Sequence, residues 1–337
     1  MMNNLASTGN QIRKNIETLV LDHITFVDAL THLRKRVRDT LDGYKPCFEM
    51  LLGTSRSGKS EVLQAIARDF PSTMAEGVRN VPVLIVDAPS GGGTRALDEA
   101  VIHALGVPVP KNMPKLNKFM LVQLKRAGVR VILFDEVNHV VEKGSHIASA
   151  SAGDYFKTVH TNAVNVGIVM SGIPLLRRLI DDNVQLRNRV ARPIILPPYR
   201  FDDPVHRKAF ANCVAAFVAE FEECGCHLTI DLNTMVRHSY LVSAGQVGLL
   251  SDFFNALAQR ITTPCDITME LCEQASKSRN LPGDGYAHPF RDINIADDQL
   301  MGVLSAELDK YNLALPPLET TGSRAIKKAS NVTEGSL

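Results

Sequence analysis

The sequence has no surplus of charge of either sign. Its 337 residues carry 37 Lys and Arg against 36 Asp and Glu, a formal net charge of +1. A whole-chain basic footprint for nucleic acid is therefore excluded, and any such contact must come from local basic patches. No apolar run approaches the ~20 residues that span a bilayer, so no membrane partner is expected. The opening Met1-Met2-Asn3-Asn4 lacks an apolar signal core, which points to a cytoplasmic protein. The six cysteines (Cys47, Cys213, Cys224, Cys226, Cys265 and Cys272) are scattered and read as reduced thiols. Cys224-Gly225-Cys226-His227 resembles a metal clip, but structural zinc wants wider spacing and a second pair. A loop with small buried thiols is the competing reading. Internal repeats are also missing.

What is present is ordinary globular material, 45% hydrophobic and 22% charged. The length predicts about two domains of ~100–200 residues. Residues 16–41 read as a helix, with Val27, Leu30, Val37 and Leu41 at helical spacing and Arg34, Lys35, Arg36 and Arg38 between them. Then short apolar runs alternate with helical stretches. The strands are Cys47–Leu52, Val83–Val86, Val131–Phe134, Val166–Met170 and Ile194–Leu196. The helices are Lys59–Asp69, Leu97–Leu105, Tyr155–Ala163 and Pro174–Ile180. This rhythm predicts an α/β domain with a mostly parallel five-stranded sheet over 47–198, preceded by a helical segment, 1–46. After Pro197-Pro198 the pattern turns helical. Phe210, Cys213, Val214, Phe217 and Phe221 form one stripe; further helices carry Leu232, Met235 and Val236, then Val247, Leu250, Phe254 and Leu257, then Asp266–Lys277. A small helical lid over 199–280 is expected, then an extension, 281–337, whose tail from Pro316 is polar and expected to be disordered.

Gly53-Thr54-Ser55-Arg56-Ser57-Gly58-Lys59-Ser60 matches G-x-x-x-x-G-K-[ST] in full. Glycines let successive N–H groups curl towards phosphate oxygens, and the helix that follows, from Lys59 through Glu61, presents its positive end to the same anion. Lys59 is expected at the β- and γ-phosphates of ATP and the Ser60 hydroxyl on Mg²⁺. Val131–Phe134 delivers Asp135 and Glu136 to a strand end, where ligands sit in open α/β sheets. Asp135 is the expected Mg²⁺-shell ligand and Glu136 the residue that activates water, so the chain reads as an ATPase. Ser171 ends the next strand and either helps hold the attacking water or caps the turn that follows. Arg187, Arg189 and Arg192 precede the last strand; they are surface charge, or Arg189 or Arg187 is a finger that reaches a neighbouring subunit's γ-phosphate. Lys111, Lys115, Lys118, Lys125, Arg126 and Arg130 form a basic cluster in a loop or helix, either a solvated face or phosphate contacts to double-stranded DNA.

The order of P-loop, Asp-Glu strand, polar strand end, late arginines and helical lid resembles the AAA+ ATPases. Asp135-Glu136-Val137-Asn138-His139 is similar to the acidic box of the TniB/TnsC family. So are Val169 to Leu176, Asp182 to Arg189, and Ser243-Ala244-Gly245-Gln246-Val247-Gly248, the start of that family's third lid helix. The likeness covers roughly residues 16–295. It implies a regulatory ATPase of DNA transposition that assembles on DNA as a ring or helical homo-oligomer when ATP is bound. It also implies contact with a TniQ-type target selector and a DDE transposase. Many AAA+ lids place an arginine at the start of the third lid helix. Here Gln246 and Val247 stand there, which leaves the terminal phosphate to the neighbour's arginines. Helicase- or clamp-loader-type AAA+ proteins and oligomerising signalling NTPases are the competing classes. The lid without its arginine and the short remainder of the chain weigh against them.

Overall fold

The computed structural model describes residues 7–314, apart from 20, 22, 76, 91–92, 140–145, 163–165, 278–287 and 293. The expected disordered tail lies outside these residues. The central sheet has five strands: β1 (Phe48–Gly53), β4 (Val83–Asp87), β5 (Val131–Asp135), β6 (Gly167–Gly172) and β7 (Ile194–Leu196). Their order is β4-β5-β6-β1-β7, all parallel. β1, β5 and β6 are buried along their whole lengths, which is why they read as unbroken apolar runs. A short antiparallel hairpin, β2 (Thr73–Ala75) and β3 (Val78–Asn80), has no counterpart in the sequence pattern. It turns at Gly77, in the left-handed region at φ 76°.

Three buried clusters organise the chain. One sheet face packs on α4 (Gly93–Ala104), α5 (Leu116–Arg126) and α6 (His146–Asn162). α6 starts well before the expected Tyr155, and the expected last residue, 163, lies outside the described residues. The other face packs on α2 (Ile24–Leu41) and α3 (Lys59–Asp69). Beyond β6 a 3₁₀ turn (Pro174–Arg177) leads into two single-turn helices, α7 (Arg178–Asp181) and α8 (Val184–Arg187). The third cluster is a helical body of α9 (Pro204–Glu223), α10 (Leu232–Ser243), α11 (Val247–Ala258), α12 (Met269–Ser276) and α13 (Asp297–Asp309). Asp266–Ile267, expected to open α12, instead pairs with His227–Leu228 as a two-stranded ribbon. Cys224-Gly225-Cys226 is the turn into that ribbon, with Gly225 at φ 80° and Cys226 buried.

The expected helix over 16–41 is two helices. α1 (Thr8–Thr18) buries Ile12 and Ile16 in the helical body, whereas α2 lies on the sheet. One continuous rod cannot serve both cores, so the chain breaks at Leu19, which is extended at ψ 114°. Gly9 sits so close to α11 that a Cβ there would meet the Ala258 carbonyl oxygen at 2.0 Å. No single helix among the described residues is long and apolar enough to cross a membrane.

α2 is fastened to the sheet through charge. Glu49 of β1 is fully buried, and the Arg36 guanidinium donates to its Oε1 at 2.7 Å. Its Oε2 has no hydrogen-bond partner. Arg36→Met should cost about 2–4 kcal/mol, because it strands a buried carboxylate. Adding Glu49→Leu should recover most of that loss. Urea unfolding of both variants checks this; a double variant no more stable than the single would mean that the carboxylate is not the source of the penalty.

Candidate functional site

The P-loop joins β1 to α3. Arg56 (φ 65°) and Gly58 (φ 93°) both adopt left-handed backbone, which curls the loop into a concave row of N–H groups. Gly53 is needed for room: a Cβ there would meet the Ser57 hydroxyl at 2.4 Å and the Leu196 carbonyl at 2.8 Å. Gly58 is the N-cap of α3 and offers no capping side chain. The first N–H groups of α3, those of Lys59, Ser60 and Glu61, are therefore left for an anion. The Ser60 and Glu61 side chains are exposed beside them.

Lys59 is the centre of the site. It is only 8% exposed. Its ammonium donates to the carbonyls of Gly53 (3.1 Å) and Thr54 (2.7 Å) and to the Ser57 hydroxyl (3.4 Å), all neutral groups. Burial pushes its pKa down to about 8, against the opposing pull of Asp135 and Glu136. A buried ammonium held by neutral oxygens and a helix start without a capping side chain fit a phosphate chain well.

Asp135 closes β5 and is buried. Its Oδ1 accepts the Ser171 hydroxyl at 2.8 Å and the Glu136 N–H at 2.9 Å. Ser171 therefore orients Asp135. The turn after β6 takes Ile173 as its N-cap with no side-chain bond, so Ser171 does not cap it. Glu136 has φ 52°, which is uncommon for a residue with a Cβ and turns its side chain outwards, 63% exposed. Its carboxylate lies 3.1 Å from the His139 ring.

Sequence reasoning missed the grip of the helical body on the P-loop. The Thr54 hydroxyl donates to Gln246 Oε1 at 3.0 Å. The Ser55 N–H donates to the Tyr311 hydroxyl at 3.0 Å. The Arg56 carbonyl accepts the Gly248 N–H at 3.0 Å, and its guanidinium pairs with Asp252 through both Nε and Nη2. Any Cβ on Gly248 would press to 2.3 Å from the Arg56 carbonyl. Side chains and backbone from the body thus seize three consecutive loop residues. Only the departure at Gln246 carried a signal in the sequence.

The arginines divide. Arg187 is engaged locally, donating to the carbonyls of Ile180 (3.5 Å) and Asp181 (2.8 Å). Arg189 is exposed and, among the described residues, no hydrogen bond or ion pair holds its side chain. The basic cluster also divides. Arg130 turns inwards to the Thr40 carbonyl at 3.0 Å. Lys111, Lys115, Lys118, Lys125 and Arg126 are exposed. α5 buries Leu116, Met120 and Leu124, so Lys115, Lys118 and Lys125 recur on the opposite side at helical spacing.

Lys59→Met removes the charge and keeps most of the volume. Below pH 8 both folded and unfolded wild-type chains hold the proton, and burial of the ammonium costs the fold about 2–3 kcal/mol that the variant avoids. Between about pH 8 and 10.5 the unfolded chain keeps a proton that the folded chain has released, so wild-type stability rises with pH. Without nucleotide, the variant should be the more stable protein at pH 7, and its lead should shrink by pH 10. A less stable variant at pH 7 would mean that the loop contacts of the ammonium outweigh its desolvation.

The fold and site can now be set beside known proteins. No curated protein matches the sequence significantly. Solved structures do match in shape. The Aeropyrum pernix ORC2 protein in its ADPNP–ADP complexes is 11% identical, with 94% of this chain and 88% of that one covered and a TM-score of 0.57. The A. pernix ORC1 protein in complex with DNA is 14% identical over 89% and 87%, with a TM-score of 0.54. Drosophila ORC bound to DNA is 12% identical over 98% and 84%, with a TM-score of 0.52. These likenesses establish the fold, that of an AAA+ P-loop NTPase with a helical body after the sheet. The model of the bacterial TniB protein family matches residues 19–200, which is 182 residues (200 − 19 + 1) of 337 and more than half the chain. This chain belongs to the TniB family.

Proposed function

We propose that the protein is an ATPase that assembles on double-stranded DNA when ATP is bound and links a TniQ-type target selector to a DDE transposase. The observation that carries the ATPase reading is the buried Lys59 ammonium, set in the P-loop opposite Asp135 and Glu136 at the end of β5. Lys59 and the first-turn N–H groups of α3 would hold the phosphates. Ser60 and Asp135 would hold Mg²⁺, which supplies charge neutralisation of the phosphates when bound. Glu136, exposed beside them, would take a proton from the attacking water, and Ser171 would keep the Asp135 carboxylate aimed.

Membership of the TniB family supports the transposition part of the reading. Two structures of similar fold, both of ORC proteins, were solved with DNA. The solvent side of α5 supplies the chemistry for such a contact: a row of cations without acidic partners among the described residues. Such a row neutralises phosphates without reading bases. Arg189, not Arg187, is the finger across the subunit boundary, because Arg187 already holds carbonyls of its own chain.

Assembly tests the whole reading. With double-stranded DNA, oligomers should form with ATP and fail to form with ADP or without nucleotide, as followed by light scattering or electron microscopy. Glu136→Gln should bind ATP, hydrolyse it slowly and persist on DNA as ATP is offered. Arg189→Ala should bind ATP as a monomer yet lose assembly and turnover, by ~10³-fold or more if it acts as a finger. Equal assembly with ADP would overturn the reading.

The α5 contact has its own test. Replacing Lys115, Lys118 and Lys125 with Ala should flatten the dependence of log affinity on log salt by about 0.9 for each phosphate that is no longer neutralised, whatever the DNA sequence. An unchanged slope would assign these lysines to solvent.

A further inference from the structure

Two side chains from the C-terminal half meet the P-loop with hydrogen-bond donors still unmatched. The Tyr311 hydroxyl accepts the Ser55 N–H at 3.0 Å. A phenol that accepts one hydrogen bond retains its own proton to donate. No acceptor for that proton is found among the described residues. Gln246 is 1% exposed. Its Oε1 accepts the Thr54 hydroxyl, while its Nε2 is buried with no hydrogen-bond partner. A buried amide nitrogen without an acceptor is costly to keep, so the position calls for an explanation.

The surroundings of these two donors are all of one kind. The Thr54 carbonyl touches the Lys59 ammonium at 2.7 Å, so the Gln246 amide and that ammonium contact the same residue from two sides. Gln246 is also the N-cap of the twelve-residue helix α11, whose positive end points the same way as its cap. A phenol O–H, an amide N–H, a helix start and an ammonium thus converge on residues 54 and 55. That set lacks one thing, an anionic acceptor.

We infer that Tyr311 and Gln246 are nucleotide-contacting residues that read the terminal phosphate of ATP. The inference rests on the ATPase reading above. The first turn of α3 is ample for the inner phosphates. The phosphate that distinguishes ATP from ADP adds charge on the Lys59 side of the loop, where the two donors lie. The Ser55 N–H would polarise the Tyr311 hydroxyl as one link of a donor chain that ends on phosphate oxygen.

Tyr311 is well placed to report what it reads. It follows directly on α13, and its segment is anchored at several points. Arg237 donates to the Ile295 carbonyl (3.1 Å from Nε) and pairs with Asp297 at 2.5 Å. The Phe290 N–H donates to His238 Nδ1 at 2.8 Å, and their rings stack at 4.9 Å. Burial drives the His238 pKa down to about 4, so the ring is neutral and accepts that bond at physiological pH. A change at the phosphate therefore reaches the C-terminal segment through one hydroxyl on a firm support.

The test uses the full chain in a Glu136→Gln background, so that ATP survives the measurement. Dissociation constants for ATP and for ADP are compared with and without Tyr311→Phe and Gln246→Glu. Tyr311→Phe keeps the ring and removes the hydroxyl; ATP should weaken about tenfold or more, and ADP by less than about twofold. Gln246→Glu keeps the acceptor for Thr54 but replaces the unmatched donor with a negative charge, and ATP should weaken about a hundredfold. A merely structural role predicts equal losses for both nucleotides, or none, and either result overturns the inference while the ATPase reading stands. Failure of the parent protein to bind either nucleotide overturns both. Tyr311→Phe leaves the core intact, so the test holds even if Gln246→Glu fails to fold.

Discussion

The site depends on a buried positive charge kept without a buried counter-charge in contact. Lys59 is caged by backbone carbonyls and a hydroxyl, and its nearest carboxylates act only through space. Desolvation of such a group is unfavourable, and folding must tolerate it. The molecule does so through its most rigid part. β1 is the strand between β6 and β7, buried along its length, and α3 packs its Val62, Leu63 and Ile66 under the sheet. Strain at the loop is accepted for the same reason. Arg56 is left-handed with a full side chain, yet its carbonyl and its guanidinium are both fixed by α11. A ligand that supplies negative charge relieves the whole arrangement at once.

The same constraint ties the helical body to the sheet. The chain leaves β7 through Pro197-Pro198 and reaches Tyr199, which is bound on every side. Its N–H donates to the Gly245 carbonyl at 2.8 Å, its carbonyl accepts the Tyr240 hydroxyl at 2.7 Å, and its own hydroxyl lies 2.9 Å from His23. Burial raises its pKa to about 12, so the hydroxyl stays neutral. Gly245 tolerates no side chain here, since a Cβ would fall 2.2 Å from the Tyr199 carbonyl oxygen. The next residue is Gln246. The connector between the two halves and the P-loop contact are thus one continuous patch, and the two halves cannot separate without disturbing the nucleotide loop.

Much of this was legible in the sequence because it is local. The P-loop, its preceding strand and α3 each leave a pattern within a dozen residues, and the α3 bounds read from periodicity, Lys59–Asp69, are the observed ones. Asp135 and Glu136 were found because an apolar strand ends at them. What escaped is long-range or short-lived in sequence. Tyr311 lies far along the chain from Ser55, and no spacing rule joins a tyrosine to a distant loop N–H. The hairpin β2–β3 is too short to show alternation. The break between α1 and α2 follows from which core each helix serves, and a continuous helical period conceals that. The restraint of Arg187 was equally hidden, since three clustered arginines look alike until their neighbours are known.

That difference between arginines bears on how an assembly could respond to its nucleotide. A guanidinium already bonded to two carbonyls in its own chain must give them up before it can reach a neighbour, and each such bond from a charged donor is worth about 1.5–3 kcal/mol. An exposed guanidinium without such bonds has only water to release. Arg187 instead stiffens the segment 178–187 by closing the carbonyls at the end of α7, and so sets the direction in which Arg189, two residues on, projects. Phosphate-reading donors in this chain come from the body behind the loop, and the exposed cation comes from the far side of the sheet. A nucleotide held between the two would feel one group of donors from its own subunit and one from the next. Subunit contact would then depend on the same phosphate that the C-terminal segment touches.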